Sequence, residues 1–225
     1  MYLINFEINR SKFFFNQPPE KMYTILMSYP VQLTAGDGAV IYNEIMYITD
    51  NIGDGTYSKI NKINLTNLIV TSWLNNTTIN GNTTLIQGLS TIIIYNNYIY
   101  SLNISTGNII KISLDNIQTV ELWYSGLQFP VDMKEYNGHL YITNSSGVLE
   151  ISFATKLITR QWANPPESSS TTGLCIYNNY LYVAMNNPGA IYKLNLLAPE
   201  STFVLFFNNF TDLNPQYIYI YLIII

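Results

Sequence analysis

The feature that most constrains this chain is a short pattern that occurs four times. Tyr42-Asn43-Glu44-Ile45-Met46-Tyr47 recurs as Tyr95-Asn96-Asn97-Tyr98-Ile99-Tyr100, as Tyr136-Asn137-Gly138-His139-Leu140-Tyr141 and as Tyr177-Asn178-Asn179-Tyr180-Leu181-Tyr182. The leading tyrosines are spaced by 53, 41 and 41 residues. Self-similarity at such a period marks an architecture of stacked units, because one unit cannot bury its apolar face alone. Each copy reads as a hairpin: an apolar strand, a two-residue turn rich in Asn that tolerates positive φ, and a second strand of aromatic and β-branched residues.

A second pattern follows each hairpin: Lys62-Ile63-Asn64-Leu65, Lys111-Ile112-Ser113-Leu114, Glu150-Ile151-Ser152-Phe153 and Lys193-Leu194-Asn195-Leu196. Strict alternation marks a third strand with one buried face. Each unit then ends near an aromatic residue, Trp73, Trp123, Trp162 or Phe207, which marks a fourth. No long stretch carries the helical period, so helices between the strands are excluded. The pattern predicts an all-β chain, a single β-propeller domain over 1–225 with about five four-stranded blades. Four units lie near 36–75, 88–124, 126–163 and 173–207. The fifth blade is expected to be composite, joining 1–16, where Glu7-Ile8-Asn9 and Phe13-Phe14-Phe15 look like third and fourth strands, to 208–225, whose run Tyr217 to Ile225 suits an inner strand. Such closure would cover sheet edges that an open array exposes. A six- or seven-bladed ring, or a truncated one, is the alternative.

Charge narrows the partners. The formal net charge is −4, charged residues are 11% of the chain, and Lys and Arg are scattered singly, so no basic stripe exists to neutralise phosphates. Nucleic acid is excluded as a partner on that ground. Met1 to Arg10 carries Glu7 inside its apolar stretch and does not read as a signal peptide, which leads to an expected intracellular or virion-associated location. The apolar run at the C-terminus is about half the length of a membrane helix, so no membrane span is expected. Asn, Ile and Tyr are over-used, and their codons are rich in A and T, which suggests an AT-rich source such as a giant virus. The oligomeric state is not fixed by any of this.

The unit from Gly126-Leu127-Gln128-Phe129-Pro130-Val131-Asp132-Met133 through Asn144 resembles an NHL-type propeller repeat, with its Phe-Pro lead-in, Asn-Gly turn and aromatic second strand. The resemblance implies a binding platform. The chain departs from the family in placing Asp132 where the repeat usually has glycine, and only this unit keeps the proline. Propellers similar to SMP-30 hold a divalent metal in the channel with Glu, Asn and Asp, and by that resemblance Asp132 is the candidate metal ligand. Its counterparts are Gly38, Thr91 and Gly173, which supply no second ligand. Propellers of the streptogramin-lyase kind use more than one histidine, and this chain has His139 alone.

Other candidate groups read as structural. Cys175 is a lone thiol within a strand pattern and reads as buried and inert. Asp50-Asn51-Ile52-Gly53-Asp54-Gly55 looks like a calcium loop, but Ile52 and Asn61 stand where ligands belong. The repeated tyrosines Tyr42, Tyr47, Tyr95, Tyr100, Tyr136, Tyr141, Tyr177 and Tyr182 could line a ligand face, yet equivalent aromatics in every unit are more economically packing between blades. The sequence therefore points to a non-catalytic binding or scaffold module for a protein partner, with no catalytic residue and no cofactor. A metal-dependent lactonase or hydrolase built on Asp132 is the alternative.

Overall fold

The computed structural model describes residues 38–51, 58–75, 83–117, 120–165, 171–185, 189–198 and 200–208. They form four antiparallel sheets, each built from four consecutive strands. The first comprises β1 (Ala39–Tyr42), β2 (Ile45–Asn51), β3 (Ser58–Asn64) and β4 (Val70–Leu74). The second comprises β5 (Leu89–Tyr95), β6 (Tyr98–Asn103), β7 (Asn108–Ser113) and β8 (Val120–Tyr124). The third comprises β9 (Met133–Tyr136), β10 (His139–Asn144), β11 (Gly147–Ser152) and β12 (Ile158–Ala163). The fourth comprises β13 (Thr171–Tyr177), β14 (Tyr180–Met185), β15 (Ala190–Asn195) and β16 (Val204–Phe207). The chain divides into two compact units, Met1–Ser125 with the first two sheets and Gly126–Ile225 with the last two.

The repeated Asn pairs make the turns that the sequence implies. Asn43 and Glu44 have φ of 49° and 59°, Asn96 and Asn97 46° and 63°, and Asn178 and Asn179 47° and 64°. Two consecutive residues at positive φ give the turn whose twist matches the flanking strands, and Asn accepts that conformation with little strain. Glu44 takes it without being Asn or Gly. Its backbone carbonyl is held by Leu65 N at 2.9 Å.

Each outer strand carries one extra residue. In the first, second and fourth sheets the register slips where Trp73, Trp123 and Phe206 stand, between Ile60/Asn61, Ile109/Ile110 and Ile191/Tyr192. Phe206, rather than Phe207, is thus the counterpart of the tryptophans. A bulge of this kind re-aims the side chain, and here it turns the aromatic onto the second tyrosine of the hairpin. Tyr47–Trp73, Tyr100–Trp123 and Tyr182–Phe206 meet edge to face, with centroids 5.1, 5.2 and 5.2 Å apart.

Within each unit, adjacent sheets share a core. Trp73 and Leu74 of the first sheet are buried with Leu89, Ile92 and Ile110 of the second. Trp162 and Val148 of the third are buried with Leu174, Val183 and Tyr192 of the fourth. A threonine ties each pair together. Thr49 donates its hydroxyl to Ser90 O at 2.9 Å and accepts from Gly38 N at 2.9 Å. Thr143 donates to Thr172 O at 2.9 Å and accepts from Asp132 N at 2.9 Å.

The expectation of about five blades, or of six or seven, is corrected to four among the described residues. Every sheet is completed by its own contiguous strands, so none borrows a strand from the far end of the chain. No strand of a fifth blade occurs among the described residues. Of the segments 1–16 and 208–225 that were expected to build it, all but Asn208 lie outside the described residues.

Candidate interaction groove

The strand registers place one cross-strand row of side chains in the same position of every sheet. The rows are Val40-Tyr47-Lys62-Thr71, Ile93-Tyr100-Lys111-Glu121, Lys134-Tyr141-Glu150-Arg160 and Cys175-Tyr182-Lys193-Val204. In three rows a lysine follows the tyrosine and lies near the rings. Lys62 Nζ is 4.8 Å from the Trp73 centroid, Lys111 Nζ 3.8 Å from Tyr98, and Lys193 Nζ 5.5 Å from Phe206. These are cation–π contacts within the blade.

The third row inverts the pattern. Glu150 replaces the lysine, Arg160 supplies the cation from β12, and the bulge moves to Thr159, leaving Trp162 stacked on Tyr141 at 6.4 Å. The Glu150 side chain is only 4% exposed. Its carboxylate accepts from Arg160 Nε at 2.8 Å, from Arg160 Nη2, and from the Thr159 hydroxyl at 2.5 Å. Burial pushes this carboxyl upward, but hydrogen bonds from Arg160, Thr159 and Tyr141 together hold it below its usual value. Burial also pushes the Tyr141 phenol up, with Glu150 adding to the effect, and brings Tyr100 to about 12. Both phenols stay protonated at neutral pH. Arg160 is committed further, since Nη1 donates to Leu196 O, just after β15, at 2.9 Å.

The residues singled out by the sequence are placed as follows. Tyr47, Tyr100 and Tyr141 are buried and Tyr182 is half-buried, each against the outer-strand aromatic of its own sheet. Tyr42, Tyr95, Tyr136 and Tyr177 are half-buried before the turns, and Tyr136 donates its hydroxyl to Asn179 of the next sheet. Asp132 is bonded on both carboxylate oxygens: Met133 N at 2.8 Å and Lys134 Nζ at 2.7 Å on one, Leu174 N at 3.0 Å on the other. A metal ion there would have to displace Lys134. Among the described residues no three of His, Cys, Asp and Glu converge on one point. His139 Nδ1 sits 3.0 Å from Asn137 O and Nε2 3.9 Å from Glu150. Burial pushes the Cys175 thiol up to about 11. Asp50 is fully buried and held by Lys59 at 3.1 Å and Asn61 at 3.2 Å.

Beside the inverted row, an open groove of about 600 Å3 runs between Arg160–Pro165 on one wall and Glu200–Phe203 on the other. Trp162, Pro165 and Phe203 give it apolar surface. Asn164 adds a polar contact with a specific deficit. Its Nδ2 donates to Ser145 O, but its buried Oδ1 has no hydrogen-bond donor. Sequence reasoning missed both this groove and the ion pair beside it. The available signal was Glu150 itself, a carboxylate where three sister repeats have lysine, with the region's only arginine ten residues on.

No family model matches the chain, and no curated protein matches its sequence. Solved structures do. Virginiamycin B lyase from Staphylococcus aureus is similar at 16% identity, TM-score 0.58, over 80% of this chain and 58% of that one. A nidogen/laminin complex matches at 14% identity, TM-score 0.56, over 73% of this chain and 62% of that one. The N-terminal domain of Nup159 matches at 12% identity, TM-score 0.53, over 76% and 44%. The fold is that of a β-propeller. At such identities the likeness is one of fold alone, and it supports the propeller without favouring the NHL or SMP-30 type. The chain spans less than two thirds of the length of these propellers. No helix among the described residues is long and apolar enough to cross a membrane.

Proposed function

We propose that this chain is a non-catalytic propeller module that binds another protein through the outer part of its blades. The observation that carries this reading is the open groove beside β12, walled by Arg160–Pro165 and Glu200–Phe203. The chemistry of the described titratable groups supports the same reading. Asp50, Asp132 and Glu150 are each engaged by cations or amides of the protein itself. Among the solved neighbours, one is a complex of nidogen with laminin, a precedent for protein recognition on this fold, while another is a lyase. Function on a propeller follows its site and not its fold.

The test pairs interaction with metal response. A partner captured by cross-linking in the source organism should reconstitute a complex with the purified full chain. Added Ca2+, Zn2+ or Mn2+ should leave the melting temperature unchanged, because only a ligand bound by the native state stabilises it. Failure to reconstitute any partner, together with metal stabilisation and turnover of a lactone, would overturn the binding reading.

A further inference from the structure

We infer that the free edge of β12 receives an extended, basic segment of the partner as an added strand. This rests on the binding reading above and assigns its surface and chemistry.

β12 is the outermost strand of its sheet, paired with β11 on one side only. Asn164 N donates to Ser146 O at 3.0 Å, so that pair is hydrogen-bonded, and the alternation of an antiparallel ladder makes Gly147↔Ala163 and Leu149↔Gln161 the non-bonded pairs. The N–H and C=O of Gln161 and Ala163 therefore point away from β11. Both residues are exposed, and both line the groove. An edge with outward amides is the template for strand addition, in which backbone bonds give affinity and flanking side chains give selectivity.

Charge fixes the kind of segment. Two charged residues line the groove, Arg160 and Glu200. Arg160 is neutralised by Glu150, whereas Glu200 is exposed and has no ion-pair partner among the described residues. The groove thus offers one uncompensated negative charge, and an added strand with Lys or Arg opposite Glu200 is complementary to it. The apolar contact comes from Phe203, which is half-buried on the wall opposite β12.

A random decapeptide phage library selected on the immobilised full chain tests this. Enriched peptides should alternate β-branched or aromatic residues with polar ones and carry Lys or Arg. Hydrogen exchange should show their footprint on 158–165. Gln161→Pro removes an outward N–H while leaving the β11 ladder intact, because proline is tolerated where the donor faces outward. It should weaken peptide binding by about tenfold, whereas Gln161→Ala should change it by less than about twofold. Glu200→Gln should weaken the basic peptides and not uncharged analogues. A footprint elsewhere, such as on β16, overturns the inference and leaves the binding reading standing. Protection of β12 that grows with chain concentration and without peptide makes a second copy the occupant and likewise overturns it. No enrichment at all counts against the inference, and the reconstitution experiment then decides separately on the binding reading.

Discussion

Replacing Arg160 by alanine isolates the one buried ion pair that distinguishes the third blade. Glu150 would keep its buried position and lose both guanidinium bonds, and Leu196 O would lose its donor. Removing one partner of a buried pair costs about 3–5 kcal/mol. Arg160 is 27% exposed, so water reaches the vacated space and the lower end, about 3 kcal/mol, applies. For a chain of this length that corresponds to a fall in Tm of about 6–12 °C. The control is Glu121→Ala in the second blade, where Lys111 lies 3.9 Å from a half-exposed carboxylate, and the loss should stay under about 1 kcal/mol. Urea unfolding followed by tryptophan fluorescence measures both.

The pH dependence of R160A checks the cause. In the native protein the Glu150 pKa lies below 4.5, so its contribution is full above that value and is lost as pH falls through the folded pKa. In R160A the lowering effect of Arg160 is gone while burial still pushes the carboxyl up, so the folded pKa lies above that of the native protein and the variant loses stability relative to it as pH rises. The gap between native and variant should therefore narrow from about pH 7 to about pH 4. A gap that is constant with pH, or no larger than that of Glu121→Ala, would refute the argument.

Two further outcomes follow from geometry. Gly147 has φ of 139° and a Cβ there would lie 1.9 Å from Trp162 O, whereas Gly126, with φ of 87°, has nothing within 4 Å, so Gly147→Ala should destabilise by more than about 3 kcal/mol and Gly126→Ala by about 1. Equal melting temperatures for the two variants would contradict this. Cys175, with its thiol pushed up to about 11, should react with a disulfide reagent near pH 8 far more slowly in the native chain than in urea. Equal labelling rates would show that the thiol is not shielded.

The turns and strands were legible because they depend on local chemistry. Asn at 43, 96, 137 and 178 is placed by its tolerance of positive φ, and the Lys-Ile-Asn-Leu type of alternation by its one buried face. The blade number was not legible. Glu7-Ile8-Asn9 and the Ile-rich tail match strand composition, which carries no information on pairing, whereas the repeated hairpins carry their own register. Phe206 could not be separated from Phe207 because a bulge shifts the aligned residue by one, and nothing in four consecutive apolar residues marks where it falls. The groove was hidden for another reason. It depends on which backbone amides of β12 face outward, a property of ladder phase that emerges only when β11 and β12 are paired.

The inversion of sign between Lys111–Glu121 and Glu150–Arg160 also bears on how near-identical repeats avoid one another during folding. Adjacent repeats of similar sequence can exchange strands and become trapped in misassembled forms. If β12 docked onto β7 in place of β8, Arg160 would meet Lys111, and if β8 docked onto β11, Glu121 would meet the buried Glu150. Like charges directly opposite each other destabilise a ladder, and the second arrangement would set Glu121 against the buried Glu150 with no cation between them. The two middle repeats are thereby marked with opposite labels, so that each third strand accepts the fourth strand that follows it in the chain and rejects its neighbour's.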